Sequence, residues 1–310
     1  MSLLDKLPPL LATKAATELN ESPAHYPSCF AALRNWLQLQ PHFRSRTSDE
    51  FLLAFLRTAK FSVERAKQRI ESFYRYRSEL PELFANWNIF EQKFGDIIIS
   101  GALIYLPEPA ALDGPRVIII RPKCFDLTRH SSLDVYRTLF IAVDLLLYED
   151  VQVQIAGFLI ILDLGNVTRD VMLDFKPRLA RNIIDGLNKH IFPARFKGMH
   201  LVNMPTMIER LYNLVKGAIS SKMRDRFVIH GQSLEKLDAY MPRRILPEEY
   251  GGTYNIIENQ VNLLNKLRSK AHVLDEEQNY GMVEAYVKAQ KPVSSSDLGV
   301  SGTFKTLVID

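Results

Sequence analysis

The sequence predicts an α/β protein with an all-helical N-terminal domain, and three observations carry that prediction. The first part of the chain has helical periodicity with capping residues. After "EQKFGD" short apolar runs appear, bounded by Gly, Pro and Asp. Longer amphipathic helical patterns separate those runs. Continuous apolar strands alternating with helices imply βαβ units and a mixed, largely parallel sheet.

In chain order, residues 1–25 read as an extension. From Tyr26, "CFAALRNWLQLQP" is a helix closed by Pro41, and "TSDEFLLAFLRTAKF" is a second helix with Thr47 as N-cap candidate and Glu50 three residues later. A third, "SVERAKQRIESFYRYRSELPELF", starts at Ser62 and places Ala66, Ile70, Phe73 and Tyr76 along one face. These helices form a unit over residues 26–92. The runs "IIISGALIYL", "RVIIIRP", "GFLIILDL" and "GMHLVNM" read as strands. Helices are predicted in "SLDVYRTLFIAVDLLLYED", "DVMLDFKPRLARNIIDGLN" and "TMIERLYNLVKGAISSKMRDR", giving an α/β domain over residues 93–255. A polar helical segment and a Ser-rich stretch make residues 256–310 a tail or edge addition, folded back on the α/β domain.

Composition narrows the function. The net charge of +4 is too small to indicate a nucleic-acid binder by itself. Two cysteines, Cys29 and Cys124, offer neither a metal spacing nor a disulfide framework, so a reducing cytosol is the expected setting. The N-terminus lacks the unbroken apolar run of a secretory signal, and no stretch is long and uncharged enough to span a bilayer. Any membrane contact is expected to be peripheral.

The usual enzyme signatures are missing. There is no G-x-G-x-x-G after the first strand, no G-x-x-x-x-G-K-[ST], no G-x-S-x-G and no H-E-x-x-H. His130, His190, His200 and His230 stand singly, and Asp163 at the end of "IILDLG" reads as the cap of the following turn. No catalytic residue, metal site or cofactor is expected.

The helix after Pro205 is more informative. Met207, Ile208, Leu211, Tyr212, Leu214, Val215, Ala218 and Ile219 give it a wide apolar face, which suits either a helix packed on the sheet or a movable lid over an apolar cavity. Between Lys189 and Arg226 eight basic residues face two acids, Glu209 and Asp225. A basic cluster beside such a helix suits an anionic membrane surface. In "FPARFKGMHLVNMP", strand alternation sends Arg195 and Lys197 to one side and Phe196 to the other.

The succession "FLLAFLRTAKFSVERAKQRI", "YRYR", "FLIILDLGN", "IFPARFKGMHLVNMP", an amphipathic helix, "RFVIHG" and "LPEEYGG" resembles the CRAL-TRIO lipid-binding family, in particular its tocopherol-transfer and retinaldehyde-binding branch. The resemblance covers about residues 26 to 255. It implies a helical domain packed on a CRAL-TRIO domain, whose sheet floors a hydrophobic pocket closed by a gate helix from about Thr206 to Ser220. By position, the resemblance implies pocket residues Tyr136, Leu139, Val143, Phe158, Ile160, Leu162, Ile184 and Leu187, with Ile208, Leu211, Tyr212 and Val215 on the gate side. Leu139 and Val143 stand where the tocopherol protein has small hydroxyl residues, so a tocopherol hydroxyl would need another partner.

The phosphoinositide-recognising cations of that branch fall on Arg195, Lys197, Lys222 and Arg226, while two further basic positions fall on neutral Ala59 and Gln68. Relatives that load phosphatidylinositol as cargo have an acid and a threonine where this chain has Ala194 and Met223, which makes the phosphoinositide a docking partner instead of a cargo. The implied function is that of a monomeric, non-enzymatic carrier of one hydrophobic molecule: a retinoid, carotenoid, tocopherol or other isoprenoid lipid. It would be cytoplasmic and transiently peripheral on membranes carrying phosphatidylinositol phosphates. Two alternatives remain: a lipid-sensing regulatory module that binds a protein partner, with the tail as its contact, and an α/β enzyme with an unrecognised site.

Overall fold

The computed structural model describes residues 7–85, 87–174, 186, 192–206, 209–210, 221–232 and 234–283; the side chains of residues 148, 149, 222 and 223 are not described. Helix α1 (Pro9–Leu19) begins at a proline, where the missing N–H costs no helical hydrogen bond, and ends on Asn20 in the left-handed region. Its buried Leu11, Ala15 and Leu19 pack against Ile155 and Ala156. Helix α2 (Tyr26–Gln38) is followed by the short strand β1 (Phe43–Arg44) and then by α3 (Asp49–Thr58) and α4 (Val63–Glu79).

The cap of α3 is Ser48, one residue beyond the predicted Thr47: its hydroxyl accepts from the Phe51 N–H at 3.4 Å. Ser62 caps α4 by accepting from the Arg65 N–H. Ala66, Ile70, Phe73 and Tyr76 are all buried. Phe51, Phe55, Phe73 and Tyr74 form an aromatic core among α2, α3 and α4, with Phe55 and Phe73 edge-to-face at 5.4 Å and Phe73 and Tyr74 at 5.0 Å. Such pairs contribute about 0.5–1.5 kcal/mol each beyond the area they bury.

After α5 (Pro81–Phe84) comes α6 (Gln92–Ile99). The predicted strand "IIISGALIYL" is therefore divided: Ile97, Ile98 and Ile99 close α6, and Leu103–Tyr105, with Ile104, form strand β2. Buried Phe94, Ile97 and Ile98 have the i, i+3, i+4 spacing of a helix face, and that burial outweighs the strand preference of isoleucine.

The remaining strands are β3 (Arg116–Ile120), β4 (Phe158–Asp163), β5 (Phe196–Val202) and β6 (Phe227–Gly231). With β2 they form one sheet in the order β2-β3-β4-β5-β6, in which only β2 runs antiparallel. Helices α7 (Ser132–Glu149) and α8 (Val151–Ala156) lie between β3 and β4, and α9 (Arg169–Asp174) follows β4. Helix α7 opens with a reciprocal capping box, in which the Ser131 hydroxyl accepts from the Asp134 N–H and the Asp134 carboxylate accepts from the Ser131 N–H.

Strand alternation divides the core. Ile118, Phe158 and Ile160 join Leu139 and Val143 of α7 on one face, while Val117, Ile119, Leu159 and Ile161 pack with Leu237, Met241, Ile245 and Leu246 on the other. Helix α10 (Ser221–Arg224) precedes β6. Beyond the sheet, α11 (Ile256–Arg268) and α12 (Ala271–Glu277) lead to β7 (Gly281–Met282), which pairs antiparallel with β1. The buried amide of Gln260 in α11 donates to the carbonyls of Ile98 and Leu103. Residues 256–282 thus run from the α/β unit back to the N-terminal helices.

Candidate functional site

The apolar side of the site begins on the face that β4 shares with α7. Leu139, Val143, Phe158 and Ile160 are buried in one cluster, with Ile118 beside them, and Tyr136 packs against its margin. Leu162 continues the β4 face by alternation and is half-buried. Burial pushes the Tyr136 phenol up, with the Asp174 charge adding to the shift. Ile184, Leu187, Ile208, Leu211, Tyr212 and Val215 lie outside the described residues, as does the side chain of Lys222.

The basic side is organised by a bulge. Phe158 pairs with Phe196 but Leu159 pairs with Gly198, leaving Lys197 as the extra residue of β5. The bulge keeps Phe196 buried and turns Lys197 to solvent. The stem of Lys197 lies over Gly157, where an added Cβ would meet the Arg195 carbonyl oxygen at 2.4 Å and the lysine Cγ at 3.0 Å. Gly157 is also at φ +88°, so this crossing requires glycine.

Arg195 does not simply share the outward direction of Lys197. It is half-buried, and its Nη2 donates to the Ile155 carbonyl while the Glu18 carboxylate stands 3.9 Å away. Desolvation lowers the pKa of both cations; Lys197 is exposed as a residue, but its stem lies against Gly157, and the neighbouring Arg195 adds to its shift. The Arg226 guanidinium lies 5.9 Å from the centre of the Phe196 ring. Three of the four predicted headgroup cations, Arg195, Lys197 and Arg226, therefore converge at the entry to β5.

Ala59 is buried and Gln68 exposed, and both are neutral. On α4 stand two cations, Arg65 and Arg69. The pKa of Arg69 is pushed down to about 10, first by burial and then by Arg65 and Arg195. The sequence signal for this pair was their i, i+4 spacing on one helix face.

Other polar residues singled out from the sequence are structural. Asp163 is buried and accepts from the Gly165 N–H, the Asn203 amide at 2.8 Å and the Tyr250 hydroxyl at 2.7 Å, so it fastens the turn after β4 to β5 and to the "LPEEYGG" segment. Glu249 of that segment accepts from Arg121 at 2.7 Å. His200 and His230, read singly in the sequence, form a buried pair across β5 and β6, with Nδ1 and Nε2 2.8 Å apart. Among the described residues no three His, Cys, Asp or Glu side chains are grouped to hold a metal, and no helix is long and apolar enough to cross a membrane.

A mainly parallel sheet with one apolar face under a long helix, preceded by a helical domain, defines the class, and comparison with known proteins supplies the family. Residues 103–252 match the CRAL/TRIO domain model and residues 22–94 match the Pinta-like UBA domain model. The chain is 32% identical over 244 residues to an alpha-tocopherol transfer protein-like protein of Mus musculus, covering 78% of this chain and 70% of that one. It is 31% identical over 253 residues to clavesin-1 of Rattus norvegicus, covering 80% and 69%. Clavesin-2 of Mus musculus is 30% identical over 249 residues, covering 79% and 75%. The chain belongs to the CRAL-TRIO family of lipid-binding and transfer proteins.

Proposed function

We propose that this protein carries one hydrophobic small molecule between β3–β5 and α7 and exchanges it at membranes that display phosphatidylinositol phosphates. The observation that supports this reading most is the apolar continuity of Ile118, Leu139, Val143, Phe158 and Ile160, with Tyr136 packed against the same surface. Affinity would come from burying cargo surface at about 25 cal/mol per Å², and Tyr136 would orient a single polar end. That pattern suits an isoprenoid such as a retinoid, carotenoid or tocopherol. Ile184 and Leu187, with Ile208, Leu211, Tyr212 and Val215 on the gate, would complete the enclosure.

Arg195, Lys197, Lys222 and Arg226 would meet the headgroup, and no bond is made or broken in the exchange. The family's lipid-transfer character and the alpha-tocopherol transfer protein-like relatives support the carrier reading. Peripheral docking fits the cations that converge at β5.

Mass spectrometry of lipid extracted from the purified protein should find one class of hydrophobic molecule bound stoichiometrically. Protein that carries none, and moves no isoprenoid between vesicles, sinks the carrier reading. For docking, Lys197→Glu is the cleaner charge reversal, because Arg195→Glu would also remove the donor to Ile155. Lys197→Glu should weaken binding to phosphoinositide vesicles while leaving cargo loading intact. Unchanged vesicle binding would remove Lys197 from the docking surface.

A further inference from the structure

Two exposed leucines stand at the end of the sheet where β5 begins. Strand register defines that end: Arg116 of β3 pairs with Phe158 of β4, and Phe158 pairs with Phe196 of β5. The turn that enters β3 therefore lies at the same end as Arg195 and Lys197, and it carries Leu112, 78% exposed. Helix α1 crosses this end with Leu11, Ala15 and Leu19 packed against Ile155 and Ala156, and it leaves Leu10 51% exposed.

Lys14 joins the two leucines to the cations. It is four residues from Leu10 on α1, and its Nζ reaches the carboxylate of Asp113, the neighbour of Leu112, at 3.2 Å. Lys14 also pairs with Glu18 at 2.9 Å, Glu18 stands 3.9 Å from Arg195, and Lys197 lies within electrostatic reach of Lys14 and Arg195. The acids of this face are each paired with a cation: Glu18 and Asp113 with Lys14, and Glu108 with Arg244 at 2.8 Å.

The turn itself is fixed. The buried Gln152 of α8 donates from Nε2 to the carbonyls of Leu112 at 3.2 Å and Gly114 at 2.7 Å, and the Gly114 N–H donates to the Ala111 carbonyl at 2.8 Å. A Cβ on Gly114 would meet the Ala111 nitrogen at 2.6 Å, so the closure needs glycine. A buried amide thus spends both its hydrogens on a turn whose tip leaves a leucine in water. One exposed leucine is ordinary. Two beside a cation cluster, one of them on a fixed turn, match what a membrane interface receives, with apolar side chains for the acyl boundary and cations for anionic headgroups.

We propose that Leu10 and Leu112 form an apolar wedge that enters the bilayer beside Arg195 and Lys197. The partner is the lipid surface itself, and the proposal rests on the docking reading, to which it adds insertion. Neither leucine lies in residues 206–220, so the wedge is a contact separate from the expected gate.

The test uses the full chain and phosphatidylcholine vesicles containing phosphatidylinositol bisphosphate. Leu10→Ser and Leu112→Ser should each weaken binding about tenfold, the weight of burying most of a leucine side chain, and Leu112→Met should retain most of it. Leu112→Ser should keep the salt dependence of the unaltered protein, whereas Lys197→Glu should flatten it, because salt screens charge and leaves apolar contacts in place. With brominated acyl chains, Leu112→Trp should be quenched beyond the level set by Trp36 and Trp87 in the unaltered protein. If Lys197→Glu weakens binding but neither serine variant does, or if the tryptophan at 112 is not quenched, the wedge is wrong and the docking reading stands. If Leu112→Ser turns a dimer into a monomer in sedimentation and leaves vesicle binding unchanged, the leucines join two copies of the chain and the wedge is equally wrong. If the unaltered protein does not bind these vesicles, both readings fall.

Discussion

Arg57 and Arg69 stand twelve residues apart in the same helical unit, and their surroundings are opposites. Arg57 is almost fully enclosed and every guanidinium nitrogen has an acceptor: Nε and Nη2 donate to the two Glu21 oxygens at 2.9 and 2.8 Å, and Nη1 donates to Gln154 of α8 at 2.7 Å. The Tyr26 hydroxyl donates to the same carboxylate. Arg69 sits among like charges with a buried nitrogen that finds no acceptor among the described residues. A saturated cation fastens α3 to α8. An unsaturated one is a place where a ligand can still be useful, and the difference separates arginines that hold the fold from those available for binding.

The sharpest way to break this comparison is at Arg57. Arg57→Ala leaves the Glu21 carboxylate, whose side chain has no exposed surface, charged and without its partner. Breaking a buried pair on one side costs about 3–5 kcal/mol, and that loss should appear in urea unfolding. Replacing both partners, as Arg57→Met with Glu21→Leu, should recover much of it. A single-variant loss below about 1 kcal/mol would mean that water enters the site and that the saturated network carries little of the fold.

The histidine pair is an intermediate case. His200 and His230 satisfy one another across β5 and β6, yet Nδ1 of His230 has no acceptor among the described residues. Burial, then His230, pushes His200 down to about 4, and burial with Lys236 lowers His230. The folded pKa of His200 lies below its unfolded value of about 6.5, so between those values the unfolded chain binds more protons. The stability from neutral His200 is complete above about pH 6.5 and is lost as pH falls towards 4, by about 3 kcal/mol in all. Denaturation at a series of pH values should show that slope, and His200→Asn should flatten it relative to the unaltered protein. Equal slopes would place the pair in contact with solvent.

How much could be read beforehand follows the same division between local and assembled features. The strands at 116–120, 158–163 and 196–202 were legible because each is a short apolar run closed by turn residues. The division of "IIISGALIYL" was hidden, because isoleucine favours strands and the helical spacing of Phe94, Ile97 and Ile98 counts only once α11 and α7 cover that face. Phe196 and Lys197 followed from alternation, although the bulge that separates them from Gly198 did not. Arg195 was misdirected by the same rule, since its bond to Ile155 depends on where α8 ends. Glu18 beside Arg195 and His200 beside His230 join residues far apart in the chain, and no local pattern marks such pairs.

The smallest predicted effect carries the comparison back to Arg69. Its folded pKa of about 10 lies below the ordinary value of 12.5, which means that at neutral pH the folded state bears a cost for holding the charge. The group is partly exposed, so solvent screens much of that cost, and Arg69→Gln should raise stability by no more than about 1 kcal/mol. The sign is what matters, since Arg57→Ala moves stability the other way. If Arg69→Gln is destabilising, Arg69 belongs with Arg57 among the arginines that hold the fold.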